Sequence, residues 1–159
     1  MTIQAHGGVK ASTTGNITGI YDMSGGSWER VSGYVNNGHN NLTRYGEALV
    51  EIETIKHKNI YNAYDANGNI ITTGTDSQEK NYMNLKEIFG NSMYETSSDY
   101  NNTNNSWKND TSICFANDYP FLVRGGHYDY NLSSGIFCFE RANGGESYRN
   151  SFRPTIVVY

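Results

Sequence analysis

Catalysis or metal binding needs the right side chains held close together, and in this chain the candidates are dispersed. The four histidines, His6, His39, His57 and His127, occur singly. No H-x-x-x-H or H-E-x-x-H pair sets two imidazoles on one helix face, so a histidine-bound zinc or iron is not expected. The two cysteines, Cys114 and Cys138, form neither a C-x-x-C nor a Cys/His cluster of zinc spacing. Each sits in an apolar run, Ile113-Cys114-Phe115 and Phe137-Cys138-Phe139. Buried thiols are the first expectation there, and a disulfide between neighbouring strands the second. There is no G-x-S-x-G elbow, phosphate-binding loop or dinucleotide fingerprint, and the Gly-Gly pairs at 7, 25, 125 and 144 are too short to act as one. Asp65, Asn67 and Asn69 imitate the first three ligands of a calcium loop. No acidic residue stands at the closing position, so a hairpin turn is expected instead. No catalytic residue is assigned, no cofactor is required, and a structural calcium is the one ion left open. Nothing in these residues argues for catalysis, and nothing in them excludes it.

The bulk composition narrows the class. A chain of 159 residues suits a single domain with a core of its own. Only 36% of it is hydrophobic and the mean hydropathy is -0.66, yet charged residues are just 18%. Thirteen tyrosines and 17 glycines make up the difference. Disordered chains are poor in aromatics, so a folded, loop-rich domain is expected. A net charge of -4 and a pI near 5.5 argue against nucleic acid, whose binders present a basic face. The apolar runs are far too short to cross a bilayer, so no membrane insertion is expected. The amino terminus, MTIQAHGGVKAS, has no charged region followed by an apolar one and so carries no secretory signal. It reads as a domain boundary, with any targeting or anchoring module upstream.

The elements that must position any site are short. In the last 39 residues, strands are expected at 121–123, 136–139 and 155–159, separated by glycine-punctuated loops. Arg124 and Arg153, followed by glycine and proline, close two of them. Residues 15–32 hold an Asp-Met-Ser-Gly-Gly turn and then Trp28, read as a core anchor. Residues 33–41 read as an Asn/Gly-rich loop with His39 solvated. A helix is expected over 43–57 with Thr43 as its cap and Ala48, Leu49, Ile52 and Ile55 on its apolar face. Asn67-Gly68, between β-formers in 60–73, signals a hairpin. Residues 77–89 read as a second helix, capped by Ser77 and stopped at Gly90-Asn91. Residues 97–110 read as a long polar loop carrying Trp107. The N-x-S/T triplets at Asn101, Asn104 and Asn109 are what an Asn-rich chain produces by chance.

Two motifs carry a family resemblance. GIYDMSGGSWERV, residues 19–31, resembles the G-L-Y-D-M-x-G-N-V-W-E-W segment of the formylglycine-generating enzyme (sulfatase-modifying factor) family. FLVRGGHY, residues 121–128, followed by SFRPTIVV, residues 151–158, resembles that family's closing V-L-R-G-G-S-W … G-F-R-V. The resemblance implies a C-type-lectin-like α+β domain of small twisted antiparallel sheets, few helices and long loops. It makes Trp28, Arg124, Gly125, Gly126, Phe152 and Arg153 structural. It does not carry the oxidase activity, which uses a cysteine pair shortly after R-G-G. Here that loop reads His127-Tyr128-Asp129-Tyr130-Asn131-Leu132-Ser133-Ser134. The histidine set of the related iron-dependent sulfoxide synthases is missing as well.

A second branch of the fold looks closer: the variable proteins of diversity-generating retroelements, found in phage tail tips and on bacterial surfaces. Their R-G-G … F-R segment presents a hypermutated binding face. His127, Tyr128, Asp129, Tyr130 and Asn131, with Ser147, Tyr148, Arg149 and Asn150, resemble such a segment, since each is reachable by changing adenines in an Asn-like codon. The implied partner is a protein or glycan on a target surface, met at a virion tail or bacterial cell surface. Oligomers would form through the parent protein.

The side-chain chemistry points the same way. Tyrosine gives large contact area at low entropy cost, and Ser, Gly and Asn give adaptable hydrogen bonds. Tyr128, Tyr130 and Tyr148 are the expected aromatic anchors, ringed by His127, Asp129, Asn131 and Arg149. Strand alternation would turn some of these tyrosines inward, and Tyr128, matching the family's R-G-G-x-W aromatic, is the first expected to do so. The alternatives are a divergent formylglycine-type oxidase and a calcium-dependent glycan-binding lectin. The latter's E-P-N or Q-P-D motif is absent, since the two prolines, Pro120 and Pro154, lie elsewhere.

Overall fold

The computed structural model describes residues 26–53 and 55–151. Phe152, Arg153, the strand expected at 155–159 and the turn preceding Gly26 lie outside the described residues. Among the described residues, eight strands and three α-helices follow in the order β1 (Trp28–Asn36), α1 (Asn40–Glu51), β2 (Asn59–Tyr64), β3 (Ile70–Ile71), α2 (Gln78–Asn84), α3 (Ser92–Thr96), β4 (Asn101–Asn102), β5 (Ser112–Ile113), β6 (Phe121–Arg124), β7 (Phe139–Ala142) and β8 (Asn150–Ser151). None of the helices among the described residues is long and apolar enough to cross a membrane.

The domain is α+β, but its sheet is one mixed sheet rather than the small antiparallel sheets expected. The strand order is β3-β2-β1-β6-β7-β5-β4, with β8 joining β1. β1 runs antiparallel to β6 but parallel to both β2 and β8. The cause is α1, which carries the chain back so that β2 re-enters beside β1 in the same direction; a parallel pair needs such a crossover. Residues 33–36, expected in a loop, are the last four of the nine residues of β1. Tyr34 and Val35 are buried there, and burial outweighs the local turn-forming composition.

α1 starts at Asn40, three residues before its expected cap. The cap is His39, whose Nδ1 accepts from the Asn41 N–H at 3.1 Å, while Thr43 lies inside and donates to the Asn40 carbonyl at 3.0 Å. His39 is therefore a helix cap and not a solvated loop residue. The helix ends at Glu51, where the Lys58 ammonium donates to the Leu49 and Val50 carbonyls, both at 2.9 Å. That cation closes the negative end of the helix. Ile52 and Ile55, expected on the buried face, consequently stand exposed beyond it. α2 is capped by Ser77 as its sequence suggests and gives way to a 3-10 turn at Leu85–Glu87. The Asn67-Gly68 hairpin also forms, with Gly68 at φ +85 and the Asp65 carboxylate accepting from the Asn67 and Asn69 N–H groups at 2.9 Å. The backbone N–H and side chain of Asn69 hold that carboxyl below its ordinary range. Among the described residues no three acidic, His or Cys side chains converge as a metal site would require.

Among the described residues three apolar clusters pack against the sheet. The largest holds Val35, Ala63, Tyr82, Leu85, Met93, Cys114, Phe115 and Leu122. A second, of Trp28, Val123 and Cys138, lies under the candidate site, and a third, of Tyr34, Leu42 and Phe121, lies under α1. α1 approaches the sheet closely because Gly46 has no side chain: a Cβ there would meet Phe121 Cζ at 2.5 Å. Gly46→Ala should therefore destabilise by about 1–3 kcal/mol through overpacking. In an exposed helix position the same change would stabilise by about 1 kcal/mol. A urea unfolding curve reads the sign directly.

Candidate functional site

The site forms where two distant loops settle on the start of β1. After Arg124 the chain turns through Gly125 (φ +85) and Gly126 (φ +72). A Cβ at Gly126 would lie 2.7 Å from Ser134 Cβ, so the tight R-G-G turn admits no larger residue there. It delivers the chain onto a 3-10 helix, Tyr128–Ser133. The second loop descends from β7 and ends in β8, whose Asn150 and Ser151 register with Trp28 and Glu29. Trp28 is the common seat. Its backbone N–H donates to the Arg149 carbonyl at 2.7 Å, and its ring lies 5.6 Å from His127 and 5.4 Å, edge-on, from Tyr130. The loops close on each other through an ion pair, Arg149 Nη2 to Asp129 Oδ2, at 2.9 Å.

The expected site residues thus lie together, but their roles divide differently. His127 is only 2% exposed and belongs to the core, not to the polar rim. Its Nδ1 accepts from the Asp129 N–H at 3.2 Å, which leaves its proton on Nε2. Tyr130, expected as an anchor, packs inward with its ring 4.3 Å from His127 and its hydroxyl donating to Glu140 Oε2 at 2.6 Å. Tyr128, expected to turn inward, is instead 57% exposed, and Tyr148 is 75% exposed. The Arg149 guanidinium lies 5.1 Å over the Tyr148 ring. Ser147 Oγ accepts from the Arg149 N–H at 3.2 Å, fixing the turn before β8, and Asn150 is a half-buried strand residue. Asn131 follows on the 3-10 turn. Arg124 is exposed, with its guanidinium 3.4 Å from Glu29.

Between the loops lies a cleft of about 310 Å³ with Trp28, His127 and Tyr130 at its base and Glu140, Arg141 and Arg149 on its walls. Burial pushes the Glu140 carboxyl up, and it pushes the Tyr130 hydroxyl strongly up, helped by that neighbouring carboxylate. Burial pushes His127 down, and the Arg149 charge adds to this while Asp129 opposes it. Glu140 and Arg141 were not singled out from sequence; the only signal was a Glu-Arg pair directly after the apolar run 136–139. Trp107, read as part of a polar loop, is exposed and meets Phe137 edge-on at 5.3 Å. Among the described residues the larger of the other clefts are one of about 370 Å³ under α1 and one of about 490 Å³ beside Asn37, Gly74 and Asp118. Neither holds a residue of the two loops.

Both cysteines are free and fully buried, in different clusters, so the disulfide alternative does not apply. Burial pushes the Cys138 thiol up to about 12 and Cys114 higher still. A thiol held protonated in this way is a poor nucleophile or metal ligand. The chain matches no protein-family model, no curated protein and no solved structure.

Proposed function

We propose that this is a recognition domain of C-type-lectin-like fold, of the formylglycine-generating-enzyme type. It acts without catalysis, as the variable proteins of diversity-generating retroelements do. On this reading it is the display module of a longer phage-tail or bacterial surface protein. Its partner is a protein or glycan on a target surface, and it oligomerises through the parent chain. One observation carries the reading: two loops about twenty residues apart in sequence are clamped by Asp129 and Arg149 into one face, with Tyr128 and Tyr148 held outward on it. Exposed tyrosines on a rigid base are the low-entropy anchors that binding faces use. The alternative of an oxidase is disfavoured by where the thiols lie, since both are buried and held protonated.

The immobilised domain, challenged with a glycan array and a panel of intact bacterial cells, should give a saturable signal with some member. Arg149→Ala, which opens the clamp, should lower that signal at least tenfold, in line with about 1.4 kcal/mol or more for a charged group central to an interface. Silence across both panels, or a signal indifferent to Arg149, counts against recognition through this face.

A further inference from the structure

We infer that the face carries an acid latch: protonation of His127 draws the Asp129 carboxylate away from Arg149 and uncouples the two loops. The inference deepens the recognition reading, on which it rests for its consequence though not for its mechanism.

The geometry sets one oxygen between two claimants. Asp129 Oδ2 lies 2.9 Å from Arg149 Nη2 and 3.9 Å from His127 Nδ1. In the neutral ring Nδ1 makes no claim, because it accepts the Asp129 N–H. Its other nitrogen already carries hydrogen, so an incoming proton must bind at Nδ1. Two donors, Nδ1–H and the Asp129 N–H, then face each other at 3.2 Å. The ring cannot turn out to water. It is wedged beside Trp28, Tyr128 and Tyr130, and its own carbonyl is held by Ser134 Oγ at 2.8 Å and the Tyr130 N–H at 3.0 Å. Among the described residues, Asp129 Oδ2 is the charged acceptor nearest the new donor, at 3.9 Å. Asp129 and Arg149 are both partly exposed, and ion pairs of that kind hold weakly. A buried imidazolium, by contrast, needs a counter-charge. The carboxylate therefore moves to His127 and leaves Arg149.

The surroundings add to this direction. Among the described residues the titratable groups facing the ring are Asp129, Tyr128 and Tyr130 on its own turn, and Arg149 from the β8 side. Glu140 of β7 stands one hydrogen bond away through Tyr130. β1 presents the uncharged Trp28, and the Arg124 that ends β6 lies against Glu29. A second positive charge at His127 repels the Arg149 guanidinium as its carboxylate departs. Tyr148, stacked on that guanidinium, moves with it.

The test is an NMR titration of the isotope-labelled full chain from about pH 8 to about pH 5, the range in which imidazoles change charge. The His127 ring, the Asp129 amide and the Arg149 side-chain N–H signals should move with one common midpoint. His127→Gln, whose amide oxygen still accepts the Asp129 N–H but does not titrate, should abolish the movement at Asp129 and Arg149. Arg149 signals that stay fixed while His127 titrates would overturn the latch. So would movement that persists in His127→Gln, or unfolding before His127 titrates. In parallel, binding to intact cells should fall about tenfold per pH unit below the midpoint in the wild type, as one coupled proton requires, and not in His127→Gln. Coupled signals without binding at any pH would reject the recognition reading and leave the latch standing. Binding at neutral pH without coupled signals would do the reverse.

Discussion

Asp76→Ala should cost the domain about 3–5 kcal/mol, because it removes the acceptor of three hydrogen bonds at once from a buried position. The carboxylate is 3% exposed, and three segments hang on it. Its Oδ1 accepts from Asn37 Nδ2 at 3.0 Å and from the Asn117 N–H at 2.7 Å, and its Oδ2 accepts from Asn81 Nδ2 at 2.5 Å. These tie the end of β1, the α2 helix and the turn at Asn117, which sits at φ +50. Asn37 and Asn81 are themselves buried, at 1% exposure each. Each Nδ2 keeps one bond, to the Asn117 carbonyl at 2.8 Å and the Phe115 carbonyl at 3.2 Å, but alanine leaves its second hydrogen without an acceptor. Each orphaned donor costs about 1–3 kcal/mol. At about 2–4 °C per kcal/mol for a domain of this size, the melting temperature should fall by about 10 °C. Asp76→Asn keeps the shape but turns one acceptor into a donor, and should lose less than alanine does. A change within about 0.5 kcal/mol in Asp76→Ala would show that water replaces the carboxylate.

How far the fold could be read from the sequence depended on whether each residue's role was local. The Asn67-Gly68 turn, the Ser77 cap and the burial of both cysteines depend on near neighbours, and each was legible. The parallel β1–β2 pair was not, because nothing in residues 33–36 announces that a strand continues through them until α1 and β2 cover them. His39 was missed as a cap because Ser, Thr, Asp and Asn dominate that position. Asp76 drew no attention because its partners come from three separate stretches.

At the candidate site the set of residues was legible but its polarity was inverted. Alternation along an extended chain would group Tyr128 with Tyr130 and set His127 apart. The segment is a 3-10 turn, in which side chains three apart eclipse. His127 and Tyr130 therefore share the inward side against Trp28, while Tyr128 and Asp129 face out. The glycine pair that forces the turn was visible; the change of period it imposes was not. Glu140 and Arg141 join the cleft only through the pairing of β7 with β6, which no local pattern reveals.

That inversion sets the second large effect. Tyr128→Ala and Tyr148→Ala should each weaken target binding about 30-fold, the equivalent of about 2 kcal/mol for a central aromatic anchor. Neither ring belongs to the apolar clusters, so the folded state loses little with either of them. Tyr130→Ala should act in the opposite sense. It removes a ring packed on Trp28 and His127 and strips the half-buried Glu140 of its hydroxyl donor, so about 3–5 kcal/mol of stability should go with it. The decisive measurement places melting temperature and target affinity side by side for wild type, Tyr128→Ala, Tyr148→Ala and Tyr130→Ala. The first two alanine variants should melt with the wild type, within about 2 °C, yet bind about 30-fold more weakly, while Tyr130→Ala melts far earlier. Full-strength binding by both Tyr128→Ala and Tyr148→Ala would contradict this, placing recognition elsewhere on the molecule.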